Sequence, residues 1–178
     1  MDAAIGLRAK TGRAIAVVIA AEGGAPVFVW RDELRLVPAE ATIGPYHEVM
    51  ELPWAEALVA VRPLEQEIES IAVGALRDVV AAMRAQKIAI RAVGVVGSAP
   101  RDIARIGNPH IRAHAAEGIL FRRVLELAAK RLKLRCSGFV EADVDPDIAR
   151  PLARAAGRPW RTDERLAAAA AWKLIARR

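Results

Sequence analysis

Ile5-Gly6-Leu7-Arg8-Ala9-Lys10-Thr11-Gly12-Arg13 carries one short apolar run through a polar turn into a second. The first run spans Ala3 to Ala9, Lys10-Thr11-Gly12 has turn composition, and Arg13 to Ala21 is β-rich until Glu22-Gly23-Gly24 closes it. Ala25 to Val37 then alternates around Val27, Val29, Leu34 and Leu36, so the three runs read as an antiparallel meander.

Beyond the meander the period changes. Leu64, Ile68, Ile71, Ala72, Ala75, Leu76, Val79, Val80 and Met83 follow helical spacing, with Pro63 predicted in the first turn and Glu65, Glu67 and Glu69 near the positive end. Ile88 to Val96 is a continuous apolar strand broken only by Arg91 and Gly94, as suits a strand covered on both faces. Asn108-Pro109 reads as an N-cap with proline at the first helical position, opening a helix to about Lys133. Leu134 to Ala142 is the fifth strand. Asp145-Pro146 starts a helix that Gly157 and Pro159 must end, and Thr162 or Asp163 caps a last helix through Ala167–Ala171 to Arg178.

The composition sets outer bounds. With 178 residues, 54% of them hydrophobic, one domain over residues 1–178 with a full core is the default. The longest apolar run, Ala14 to Ala21, is too short to cross a bilayer, and Met1 to Ala9 lacks a signal-peptide pattern, so the expectation is a soluble cytoplasmic protein with no membrane partner. Cys136 is the only cysteine, which excludes an internal disulfide and a cysteine metal cage. Charge is uneven: residues 1–100 hold 10 Lys/Arg against 12 Asp/Glu, and residues 101–178 hold 17 against 9. The basic second half favours a polyanion, while the plainer reading is a well-hydrated arginine-rich surface.

Three strands, helix, strand, helix, strand, helix is the order of the ribonuclease H-like fold, an α/β architecture with a mixed five-stranded sheet flanked by helices. Within it the chain resembles the RuvC-type Holliday junction resolvases. The likeness rests on Ile5-Gly6-Leu7-Arg8-Ala9-Lys10-Thr11-Gly12-Arg13 against a Gly-hydrophobic-Asp-Pro-Gly opening, and on the helix Glu67 to Gln86 leading into Ile88 to Val96. It rests also on His114-Ala115-Ala116-Glu117-Gly118 and on Asp163-Glu164-Arg165-Leu166-Ala167-Ala168-Ala169. The resemblance implies a nuclease holding two Mg²⁺ about 4 Å apart between converging carboxylates, from strand one, strand four and the start of the last helix. Here the strand-one position is Arg8, strand four has no acidic residue, and only Asp163 and Glu164 remain as residual catalytic candidates. A cation there repels metals, so no family-type nuclease activity and no cofactor are expected. Mg²⁺ or Mn²⁺ enters only if displaced carboxylates, among them Glu141, Asp143 and Glu117, build a metal-dependent nuclease or phosphotransfer site.

Other constellations bear on binding. Arg8, Lys10 and Arg13 at the first turn, Gly94, Gly97 and Ser98 after strand four, and Arg101 could form a cationic strand-end pocket for phosphate or a nucleic-acid backbone. Arg150, Arg154 and Arg158 at i+4 steps, then Arg161 and Arg165, form a stripe that Gly157 and Pro159 interrupt, leaving Arg150 and Arg154 to share a face. Trp160, between Arg158 and Arg161, is the candidate for stacking on bases. His110, His114 and Glu117 share one helix face and could present two imidazoles and a carboxylate to a divalent metal, with Arg112 between them in sequence and no fourth ligand evident. The favoured function is a non-catalytic domain binding nucleic acid or another polyanion. The alternative is an interaction or dimerisation module using the fold as scaffold, a homodimer being one form.

Overall fold

The computed structural model describes residues 1–41 and 44–176. Its strands are β1 (Asp2–Lys10), β2 (Arg13–Glu22), β3 (Ala25–Arg35), β4 (Ala89–Val96) and β5 (Arg135–Phe139). Its helices are α1 (Pro45–Glu48), α2 (Trp54–Ala85), α3 (Pro109–Arg131), α4 (Ala153–Ala156) and α5 (Thr162–Ile175). The five strands make one sheet ordered β3-β2-β1-β4-β5, in which β1, β2 and β3 pair antiparallel and β1-β4 and β4-β5 pair parallel. The mixed ribonuclease H-like sheet expected from the sequence is therefore present.

Side-chain alternation divides β1 between two cores. Ala3, Ile5, Leu7 and Ala9 face α2 and α3 and join Leu76, Met83, Leu120 and Phe121 in the larger core. Ala4 faces the other way, with Val17, Ile19 and Ala92, against Ala167, Ala168 and Ala171 of α5. Gly6 pairs with Gly94 in register on that same face. A Cβ on Gly6 would overlap the Ala167 carbonyl oxygen, and one on Gly94 would sit 2.9 Å from that of Ala170. The five-alanine run thus has a packing reason: α5 lies almost on the backbone of two neighbouring strands. Gly94 belongs to this seat inside β4, not to a phosphate loop after it.

Three elements depart from the sequence reading. The long helix begins at Trp54, placing Pro63 and the glutamates after it in its interior. Pro63 is exposed beside Val59, itself 73% exposed, so water can reach the carbonyl that a proline leaves unbonded. The segment after β5 is no single helix but two 3₁₀ turns, Glu141–Asp143 and Pro146–Leu152, followed by α4. Pro151 falls inside the second turn, where it removes a backbone donor, and Gly157 ends α4 at φ 69°. Finally, α5 is capped by neither Thr162 nor Asp163: Glu164 Oε2 accepts from the Arg161 N–H at 2.9 Å. Asn108 caps α3 as expected, its Oδ1 accepting from the Ile111 N–H at 3.0 Å.

Among the described residues no helix is long and apolar enough to cross a membrane.

Candidate functional site

Arg8 lies near the end of β1 on the face that α5 covers, and its side chain is only 12% exposed. Its Nε donates to Asp163 Oδ1 at 3.2 Å, and its Nη2 donates to Glu141 Oε1. Lys10, two residues on and so on the same face, places Nζ 3.2 Å from Asp163 Oδ2. Burial alone would raise the Asp163 pKa, but hydrogen bonds from Lys10 and Arg8, with their charges, outweigh it and hold the carboxyl below the usual value. Two cations and two carboxylates therefore neutralise one another at the strand ends.

A cleft of about 230 Å³ opens there, lined among others by Arg8, Lys10, Ser98, His114 and Glu141. Four residues of the expected strand-end pocket thus line one cleft: Arg8, Lys10, Gly97 and Ser98. Arg13 and Arg101 do not. Arg13 points across the meander to Glu33, its Nε 3.4 Å from Oε2, and Arg101 lies exposed on the loop after β4. Asp163 and Glu164 are separated as well, because adjacent positions on a helix point about 100° apart. Glu164 is buried against the Arg161 backbone and lines a different cleft with Arg31 and Glu33.

On the α3 side of the cleft stands a cluster that the sequence only half revealed. His110 and His114 bring their Nε2 atoms to 3.1 Å, and His47 of α1 joins them with ring centroids 5.0 and 4.3 Å away. One ligating atom from each lies within 4.8 Å of the others. Glu117 does not complete that face as a ligand. It is buried beneath α1, where Oε1 takes His47 Nδ1 at 2.8 Å and the N–H groups of Tyr46 and His47 at 3.2 Å each. Arg112, between the histidines in sequence, turns away to lie over the Trp54 ring, which itself stacks on Tyr46.

As a sequence the chain matches no protein-family model and no curated protein. Solved structures do match it. "T. thermophilus RuvC in complex with Holliday junction substrate" aligns over 95% of this chain and 90% of its own, with TM-score 0.51 and 12% identity. "Thermus thermophilus RuvC structure" aligns over 94% and 90%, with TM-score 0.51 and 11% identity. The chain has the RuvC fold.

Fold and centre part company at β1. A two-metal centre needs several converging carboxylates, whereas β1 presents Arg8 to this cleft and β4 has no acidic residue. The guanidinium already spans Asp163 and Glu141, so the residues present do not fit a pair of divalent cations. The other displaced carboxylates do not converge either. Asp143 Oδ2 accepts from the Val140 N–H at 2.8 Å, Glu164 is committed to Arg161, and Glu117 to His47.

The basic candidates near α5 also divide. Arg150 Nη2 bonds Asp147 Oδ1 at 2.8 Å, and Arg165 shares the same oxygen at 3.2 Å, so Arg150 is paired rather than part of a free stripe. Arg154, Arg158 and Arg161 are exposed, and no ion pair engages them among the described residues. Trp160 is not an exposed stacking platform: its Nε1–H donates to Ala149 O at 2.9 Å, and its ring meets Phe28 edge-on at 5.8 Å. The chain closed by Pro159 is held from β3, where Arg31 donates to the carbonyls of Ala156, Arg158 and Pro159. Cys136 is partly buried on β5, where burial pushes its thiol up to about 11, so it behaves as a small hydrophobe.

Proposed function

We propose that this chain is a nucleic-acid-binding domain that keeps the RuvC architecture and does not use a two-metal nuclease centre. The observation that carries the reading is the Arg8 guanidinium held between Asp163 and Glu141. Carboxylates that would hold metal ions in a nuclease here hold the protein's own cations, so phosphodiester chemistry of that kind has no place to occur. Binding has better support. One RuvC of the same fold is described in complex with a Holliday junction substrate. In this chain the surplus positive charge lies in residues 101–178. Arg154, Arg158 and Arg161 are exposed without ion pairs among the described residues, beside a groove of about 640 Å³ lined by Arg158 and Arg161. Backbone phosphates suit such arginines, because each contact releases condensed counterions.

The test is binding of fluorescent single-stranded, duplex and four-way-junction DNA, and of RNA, over a salt series. The expected result is micromolar affinity with a steep log–log salt slope that falls by about one for each of Arg158→Ala and Arg161→Ala. Absence of binding at low salt overturns the reading. A second reading, self-association, is favoured by Leu52, Leu58 and Val59, exposed at 38, 43 and 73% around the start of α2. It predicts a dimer that dissociates on dilution and on Val59→Asp, with no salt-sensitive binding of nucleic acid.

A further inference from the structure

We infer that His47, His110 and His114 form a binding site for one divalent cation of the zinc class, with Glu117 as the carboxylate that orients His47. The chain contains three histidines, and all three meet here, although His47 lies more than 60 positions from the other two in sequence.

The geometry fits such an ion. His110 and His114 are one helical turn apart on α3 and so project from one face. Zinc–imidazole bonds of about 2.0–2.1 Å in a tetrahedral shell put neighbouring nitrogens about 3.3 Å apart. The Nε2 atoms of His110 and His114 are 3.1 Å apart, and the third histidine's ligating atom lies within 4.8 Å of both.

The third ligand is arranged for the task. His47 Nδ1 sits 2.8 Å from Glu117 Oε1, so the ring N–H donates there and the lone pair is left on Nε2. That Nε2 is buried and has no hydrogen-bond partner among the described residues. A buried imidazole nitrogen without a partner is costly, and a metal would satisfy it. Glu117 is 1% exposed inside the apolar face of α3, an expensive place for a carboxylate. Its three hydrogen bonds, from His47 Nδ1 and from the Tyr46 and His47 backbone, fix α1 over α3. Gly44 leaves room for this, since a Cβ there would stand 2.8 Å from Glu117 Oε1.

Three imidazoles favour zinc, copper or nickel over magnesium, whose ligands are oxygens. Three protein ligands also leave one position open. His114 also lines the cleft beside Arg8, Lys10 and Ser98. The site is separate from the carboxylates the fold would use, and it stands whether or not the chain binds nucleic acid.

The experiment uses the full chain without an affinity tag, stripped of metal, titrated with Zn²⁺ against a competing chelator and with Co²⁺ followed by visible absorption. The expected result is one Zn²⁺ per chain, an intense low-symmetry Co²⁺ spectrum, and no competition from Mg²⁺ in excess. His110 and His114 are exposed, so His110→Ala and His114→Ala test the ligands without loss of the fold, and each should weaken Zn²⁺ by at least about tenfold. Glu117→Gln should weaken it by about 10–100-fold, the usual cost of losing a carboxylate behind a metal-bound histidine. Failure to bind one equivalent at 100 µM Zn²⁺, or less than a tenfold change in either histidine variant, overturns the proposal.

Discussion

Arg8 and Asp163, 155 positions apart, meet through a hydrogen bond of 3.2 Å from Nε to Oδ1 where β1 ends and α5 begins. The contact is only partly open to water, and Glu141 holds the other side of the guanidinium. Arg8→Ala removes one charge-assisted bond to each carboxylate and leaves Lys10 alone with Asp163. The expected loss is about 1–3 kcal/mol in urea denaturation, and a change under 0.5 kcal/mol would mean the network contributes little.

Asp163 also predicts a pH dependence. Its folded-state pKa lies below the ordinary 3.8, so its ion pairs stabilise the fold fully above that value and are lost as pH falls through the lower one. The stability gap between the native chain and Asp163→Asn should be flat from pH 7 to pH 5 and close only below pH 3.8. A gap that closes near pH 6 would point to a different group.

The glycine seat under α5 gives a graded series. Gly6→Ala drives a methyl into the Ala167 carbonyl and should cost about 3 kcal/mol or more, beyond ordinary overpacking because backbone must move. Gly94→Ala, with 2.9 Å to the Ala170 oxygen, should cost less. Gly74, inside α2 with nothing within 4 Å of a Cβ, offers the opposite sign: Gly74→Ala should gain about 0.5–1 kcal/mol. Thermal melts of the three variants decide the order.

With its thiol raised to about 11, Cys136 should be slow to alkylate. At pH 8 the thiolate fraction is about a hundredfold below that of an ordinary cysteine at 9.0, and iodoacetamide labelling should slow to match. Urea should restore the rate. Equal rates in folded and unfolded chain would show the sulfur to be open.

The order of elements was legible because the hydrophobic period switches cleanly between strand and helix. Pro63 misled because proline favours a helix's first turn, and nothing local reveals that its carbonyl partner is solvated. Arg8 and Asp163 were both singled out in the sequence, but nothing there showed that they meet or that Glu141, named only among displaced carboxylates, takes the other side of the guanidinium. The histidine cluster was half visible: helical spacing joins His110 and His114, but His47 comes from a four-residue helix remote in sequence. A signal was there in Glu117, a glutamate among Ala113, Ala116, Leu120 and Phe121, which must find a partner from another element once buried. Trp160 shows the reverse error, since flanking arginines suggested exposure and only the fold brings Phe28 and the Ala149 carbonyl to it.

Gly6 and Gly94 act as a detent for the last helix. Sliding α5 by one residue along β1 and β4 would bring Cβ-bearing strand positions under its backbone, so the helix has a single resting place on the sheet. The address of Asp163 is therefore set at the middle of α5, by atoms that carry no charge, and the residue opposite it on β1 can be exchanged without moving the helix.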